Sequence, residues 1–177
     1  MQNKRIVITG GPGTGKSSVI KNLESNGHYC FHEISRQITL EAQEQGIEQL
    51  FLDNPLLFSE KLLEARIKQH KDACEIPDKL VFLDRGIPDV VAYMEYFGTV
   101  YPSKFEDACH NHEYNSIFLM PPWNDIYETD NERYESFEQA QNIYEYLKKA
   151  YITFGYQPIE VPKQSIVNRS KFILNNL

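Results

Sequence analysis

Cysteine is scarce in this chain. There are three in 177 residues, Cys30, Cys74 and Cys109, and none stands in a CxxC pair. An odd count at such distances excludes a disulfide framework and offers no zinc-ligand pattern, so the thiols read as buried or incidental groups of a reduced, cytoplasmic protein. Long apolar runs are also missing. None approaches the roughly 18 residues of a membrane span, and the apolar stretch behind Lys4 and Arg5 is too short for the core of a signal peptide. No membrane partner is expected. Basic charge is short as well, with 18 Lys and Arg against 25 Asp and Glu and a net charge of −7. Non-specific nucleic-acid binding rests on cations that neutralise phosphates, so nucleic acid is disfavoured as a partner. There is no internal repeat and no low-complexity segment.

What remains is ordinary in composition, 41% hydrophobic and 24% charged, and long enough for one domain over 1–177 with a sizeable core. Short apolar, β-branched runs alternate with helical periodicity. Strands are expected at 6–9, 29–31, 80–83 (ending on Asp84), 116–120 and 157–161. Pro158 inside the last of these assigns it to an edge. Helices are expected at 16–25, 34–46, 56–74, 88–97, 136–154 and 164–177. The third has Pro55 in its first turn and an apolar stripe of Leu56, Leu63 and Ile67. This alternation predicts an α/β fold of three layers, a five-stranded parallel sheet with helices on both faces. Ligands of such sheets bind outside the carboxyl ends of the strands. The polar groups behind strands one to four should therefore meet on one rim: the loop after residue 9, Glu33, Asp84-Arg85 and Trp123-Asn124-Asp125.

The first of these groups is the most specific. Gly10-x-x-x-x-Gly15-Lys16-Ser17 completes the P-loop pattern between a strand and a helix. Gly11, Gly13, Thr14, Gly15, Lys16, Ser17 and Ser18 are the expected nucleotide-binding residues. Glycines let backbone N–H groups curl round phosphate oxygens, and the helix N-terminus adds partial positive charge. Lys16 is expected on the β- and γ-phosphates and Ser17 on Mg²⁺. No Asn-Lys-x-Asp segment that would read guanine follows, which favours ATP over GTP.

Strand three ends on Asp84, where an acid orients Mg²⁺ or its water, so Ser17 and Asp84 form the expected metal pair. Arg85 places a cation beside it whose planar fork suits phosphoryl oxygens; the alternative is a structural pair with Asp84 or Glu33. Glu33 could take a proton from an acceptor hydroxyl, hydrogen-bond a sugar hydroxyl, or merely pair with Arg36. Asp89 either reaches the acceptor or complements the N-terminus of its own helix. The expected catalytic set is Lys16, Glu33, Arg85 and Arg133, and the expected acceptor-binding set is Glu33, Arg36, Arg85 and Asp89. The polar, aromatic segment at about 123–136 suits a lid that excludes water during phosphoryl transfer. Arg133 is its one cation, and a solvated arginine among acids is the competing reading. The loop 161–165 before the last helix either borders the adenine or is an ordinary turn.

IVITGGPGTGKSS, HEISRQ, VFLDRGIPDVVAY, the Pro-Pro-Trp and Asp-x-x-Arg-Tyr-Glu stretch, AYITFGYQPIEVP and NRSKFIL occur in this order across nearly the whole chain. Together they resemble the small AAA-like ATPase-domain family, whose relatives include the ribosylnicotinamide kinase domain of a bacterial NAD regulator, and the pattern is similar to nucleoside and nucleotide kinases. The resemblance implies a kinase-like P-loop NTPase with ATP and Mg²⁺ as cofactors. It also implies that Glu33 corresponds to the catalytic carboxylate after strand two, Asp84-Arg85 to an acid–arginine pair, and Arg133 to a lid arginine. The expected activity is phosphorylation of a nucleoside-like hydroxyl acceptor. The alternatives are a nucleotide-dependent ATPase or GTPase switch that binds a macromolecular partner, and a ring-forming motor. Monomer and homodimer both stay open.

Overall fold

The computed structural model describes residues 3–44, 46–47, 50–127 and 135–177. Its centre is β1 (Lys4–Gly10), a run whose last six residues are buried. On one side β1 pairs with β3 (Leu80–Asp84), which pairs with β2 (Tyr29–Phe31); on the other it pairs with β4 (Ser116–Met120), which pairs with β5 (Ile159–Glu160). Every neighbouring pair is parallel. The period of two along a strand divides the core. Ile6, Ile8, Phe82 and Phe118 face α1 (Lys16–Ser25) and α8 (Ile166–Asn175), where they meet Val19, Ile20, Leu23 and Ile173. Val7, Val81, Leu83 and Ile117 face the opposite layer. That layer comprises α4 (Pro55–Glu75), α5 (Ile87–Phe97), α6 (Lys104–Asn111) and α7 (Phe137–Thr153). Each fully buried Ile, Leu or Phe contributes about 1.5–3 kcal/mol relative to exposure. The expected α/β architecture with helices on both faces of a five-stranded parallel sheet is therefore the observed one.

The helix ends follow local chemistry. The Asn54 side chain accepts from the Leu57 N–H ahead of Pro55, and Ser136 with Gln139 forms a capping box at α7. α2 (Ser35–Glu44) ends earlier than the expected residue 46. The Gly46 N–H bonds to the Gln43 carbonyl and the Ile47 N–H to that of Ala42, a Schellman turn that needs the left-handed φ of 83° at Gly46.

Three further differences from expectation concern β5, α3 and α6. β5 shrinks to two residues because Pro158 has no N–H for the ladder, and the strand lies at the edge as expected. A short α3 (Leu50–Asp53) precedes α4. α6 is an extra helix with Phe105, Ala108 and Cys109 buried at i, i+3 and i+4. Among the described residues no helix is long and apolar enough to cross a membrane.

Candidate active site

The turn between β1 and α1 is held open as a cradle. Gly13 and Gly15 have φ of 69° and 79°. A Cβ on Gly13 would lie 2.5 Å from the Tyr127 ring, and one on Gly15 would lie 2.9 Å from the Arg169 guanidinium, so these two positions require glycine. No side chain caps the start of α1, which leaves its first N–H groups to an anion. Inside the loop, Lys16 Nζ and Thr14 Oγ1 both donate to the Gly11 carbonyl, each at 3.0 Å. Burial, with repulsion from Arg85, lowers the Lys16 ammonium from its ordinary range to about 8, against the pull of Asp84, Glu33 and Asp89.

A cleft of about 1920 Å³ opens over this loop. That exceeds the roughly 300–1,000 Å³ of a single small-ligand site and leaves room for a nucleotide and a second molecule. Its walls combine Gly13, Thr14, Gly15, Lys16, Ser17 and Ser18 with Glu33 and Arg36, Asp84 and Arg85, and Trp123 and Asp125. Groups from behind four strands thus share one rim. A second cavity of about 630 Å³, between the segment after β4 and α7, shares Trp123 and Asp125 but contains no residue of the phosphate loop. Of the predicted site residues, Gly11 and Asp89 lie outside the walls of the main cleft. Arg133 lies outside the described residues, as do 128–134 of the predicted lid. The described start of that segment forms a 3₁₀ turn, Asn124–Ile126.

Glu33 is the hub of the ion pairs on this rim. Its Oε1 accepts from Ile34 N at 3.0 Å, Ser35 N at 3.2 Å and Arg66 Nη2 at 2.8 Å. Its Oε2 meets Arg85 Nε at 2.5 Å. Burial pushes this carboxyl up, but Arg66 and Arg85 outweigh it, and the group settles at about 2. Arg85 has a φ of 74°, the one positive value outside glycine among the described residues, at a cost of about 1–2 kcal/mol. The strained backbone aims its side chain at Glu33 while Nη1 reaches Asp89 Oδ1 at 3.2 Å and the Tyr93 ring lies 5.2 Å away.

Asp89, expected on the acceptor or at its own helix N-terminus, lies off the cleft wall and in the capping box of α5. The residue is 1% exposed. Its carboxylate accepts from Thr9 Oγ1 at 2.6 Å, Tyr151 Oη at 2.5 Å, Gly86 N at 2.9 Å and Arg85. It caps α5 and anchors Arg85. The Glu33–Arg36 pairing considered from the sequence gives way to Arg66 and Arg85.

Asp84 is buried at the end of β3, and its Oδ1 has no hydrogen-bond partner among the described residues. Burial pushes this carboxyl up. Asp84 shares the cleft wall with the exposed Ser17, and an unmet carboxylate oxygen there is what a hard cation with oxygen ligands would satisfy. Among the described residues there is no group of three His, Cys, Asp or Glu side chains able to cage a metal.

Two arginines escape a reading of the sequence. Arg66 lies on α4, 3% exposed, and clamps Glu33 from behind while Nη1 donates to the Asp84 carbonyl at 3.2 Å. Its signal was the stripe Ser59, Leu63, Arg66, His70 and Ala73, which is buried at helical spacing and puts a cation on the core-facing side. Arg169, on α8, donates to the Thr14 carbonyl at 2.9 Å and sits 5.6 Å from the Trp123 ring centroid. No local pattern announces that contact. An apolar wall of Leu40, Phe51, Leu52 and Phe58 also lines the cleft, and the Phe51 and Phe58 rings pack edge to face at 6.2 Å.

Comparisons with known proteins agree with this architecture. An AAA-domain family matches residues 5–169. The fold is similar to that of a deoxyadenosine kinase from M. mycoides solved with the products dCMP and dCDP: TM-score 0.69, 16% identity, 97% of each chain covered. It is similar also to NadR solved with NR, at TM-score 0.71 and 16% identity, over 98% of this chain and 49% of that one. NadR has been solved with NAD and AMP-PNP as well, and that structure matches at TM-score 0.71 and 16% identity, over 98% of this chain and 48% of the other. No curated protein sequence matches significantly.

Proposed function

The chain belongs to the AAA-domain family and has a kinase-like P-loop fold, and on that footing we propose that it is a Mg²⁺-dependent phosphotransferase that moves the γ-phosphoryl group of ATP to a hydroxyl of a nucleoside-like acceptor. The observation that carries this reading is the Glu33 carboxylate, set between two guanidiniums on the wall of the cleft that also holds the phosphate loop. A protein that only hydrolyses nucleotide has no use for a second compartment with an exposed apolar wall. Leu40 and Leu52 are 53% and 62% exposed there, and such exposure is unfavourable unless a ligand covers it. The flat base of a nucleoside against Phe51 and Phe58, with its hydroxyl at Glu33, fits this division.

In this reading Lys16 and the N–H groups of the loop and α1 bind the β- and γ-phosphates. Ser17 and Asp84 would hold Mg²⁺, which supplies neutralisation of phosphoryl charge. Glu33 is ionised throughout the physiological range and accepts a hydrogen bond from the acceptor hydroxyl, which orients it in line. A carboxylate this acidic is a weak base, and the loose transition state of phosphoryl transfer needs little base assistance. Arg85 is already charged and clamped before substrate arrives, so it stabilises developing charge with little reorganisation. Arg133 is assigned as the lid cation.

The test is ATP turnover against a panel of nucleosides and vitamin ribosides. At least one acceptor should raise turnover well above the hydrolysis background, and Glu33→Gln should abolish that increment. A flat panel together with an unchanged Glu33→Gln would overturn the reading. Nucleotide-dependent capture of a macromolecule would then favour a switch.

A further inference from the structure

We propose that Arg66 is a positioning residue of the transfer reaction: from α4, it fixes which oxygen of Glu33 meets the acceptor and locks that carboxylate to the metal-binding end of β3. This inference rests on the kinase reading above and adds a residue that does not touch the cleft.

Arg66 is absent from the cleft walls and 3% exposed. Its two terminal nitrogens are spent on the acceptor side of the site, Nη2 on Glu33 Oε1 at 2.8 Å and Nη1 on the Asp84 carbonyl at 3.2 Å. Glu33 follows β2 and Asp84 ends β3, so one guanidinium bridges two rim groups that backbone pairing leaves independent. Oε1 of Glu33 is then saturated. It accepts from Arg66, Ile34 N and Ser35 N, whereas a carboxylate oxygen has two lone pairs. Oε2 meets Arg85 Nε, which leaves it a second lone pair, and Glu33 lines the cleft. Arg66 thus hands the acceptor a single oxygen in a fixed orientation.

A purely structural role does not account for this side chain. Burying a guanidinium is expensive, and an apolar residue of similar volume would hold α4 to the sheet at least as well. The Nε of Arg66 has no hydrogen-bond partner among the described residues, so the fold tolerates an unmet donor while the other two nitrogens are held in place. The groups that face Glu33 come from every element around it: Lys16 from α1, Arg66 from α4, Asp84 and Arg85 from the end of β3, with Asp89 of α5 behind Arg85 and Arg36 of α2 on the same cleft. Among the described residues Arg66 is the one side chain outside the cleft walls that binds Oε1.

The experiment compares Arg66→Met and Arg66→Lys with the parent. ATP affinity should stay within about twofold, and KM for the acceptor should change little. The kcat of Arg66→Met should fall about 100-fold, the scale of a misplacement near 1 Å. Arg66→Lys, which can reach one of the two acceptors but not both, should recover part of it. A second readout needs no turnover. The Glu33 carboxyl, followed by ¹³C NMR and assigned with Glu33→Gln, should remain ionised from pH 7 down to 4 in the parent. In Arg66→Met it should titrate about 1–3 units higher. Superimposable titrations, a parental kcat in Arg66→Met, or failure of both variants to fold would overturn the assignment. If the parent phosphorylates no acceptor, the kinase reading fails, and the carboxyl titration still decides what Arg66 does to Glu33.

Discussion

Arg85 Nε lies 2.5 Å from Glu33 Oε2, a contact between the loops behind two neighbouring strands that needs a left-handed backbone at the arginine. Loss of the carboxylate should therefore strand two buried guanidiniums. Glu33→Gln is expected to keep nucleotide affinity, lose acceptor phosphorylation, and destabilise the fold at neutral pH. The carboxyl falls from 4.5 to about 2 on folding. Its contribution, at most about 3 kcal/mol, is fully present above pH 4.5 and is lost as pH falls towards 2. Urea unfolding of parent and variant should show a gap that narrows between pH 7 and pH 3. A gap that stays constant would remove the ion pairs as its cause.

The Lys16 ammonium, lowered to about 8 by burial and by Arg85, makes nucleotide affinity depend on pH. Below 8 the empty site carries the charge that a polyphosphate needs. Above 8 binding must first return a proton to Lys16, so Kd for ATP should rise towards tenfold per unit between about pH 8 and 10. Titration calorimetry in buffers of different ionisation enthalpy should detect net proton uptake near pH 9. A Lys16→Met variant, which binds weakly, should show neither effect.

Gly86 has an extended backbone that alanine could adopt, and its constraint is space. A Cβ there would stand 2.7 Å from the Tyr151 hydroxyl, the group that donates to Asp89. Gly86→Ala should cost about 1–3 kcal/mol from overpacking. It should also lower kcat by disturbing the Asp89 anchor of Arg85. Tyr151→Phe in the same chain removes the clashing oxygen, so the double variant should be more stable than the sum of the single effects. Strict additivity in denaturant titrations would place the clash elsewhere.

Trp123 is the only tryptophan of the chain, and it stands on the cleft wall near Arg169. Its emission should respond to ATP in a saturable way without any label, and the response should vanish in Lys16→Ala. Arg169→Met should shift the emission of the empty protein by removing the cation beside the indole. An indole signal indifferent to nucleotide would mean that the cleft near Trp123 does not take part in binding.

The parts of this site that could be read from the sequence are those built from adjacent residues. An apolar β-branched strand that runs into glycines and Lys-Ser defines loop and helix at once, and Glu33 and Asp84-Arg85 stand where strand periodicity ends. Arg66 escaped because α4 presents Lys, Glu, Arg and Gln on what looks like a solvent face, and only its spacing from Leu63 and Ala73 sets it inward. Asp89 was visible, but both a reach to the acceptor and a helix cap fit its position. Burial decided for the cap. α6 carried a legible i, i+3, i+4 pattern in Phe105, Ala108 and Cys109 but no place in the strand–helix alternation. The Arg169 contact with Thr14 spans 155 residues, and no window along the chain contains both partners.

That last contact has a consequence for synthesis. The phosphate loop is translated 155 residues ahead of the guanidinium that holds the Thr14 carbonyl, which belongs to α8. β1 likewise waits for β3 and β4 before it is paired on both sides. A nascent chain still short of residue 169 carries the complete glycine motif without the support behind it. Nucleotide capture should therefore switch on only after α8 has left the ribosome.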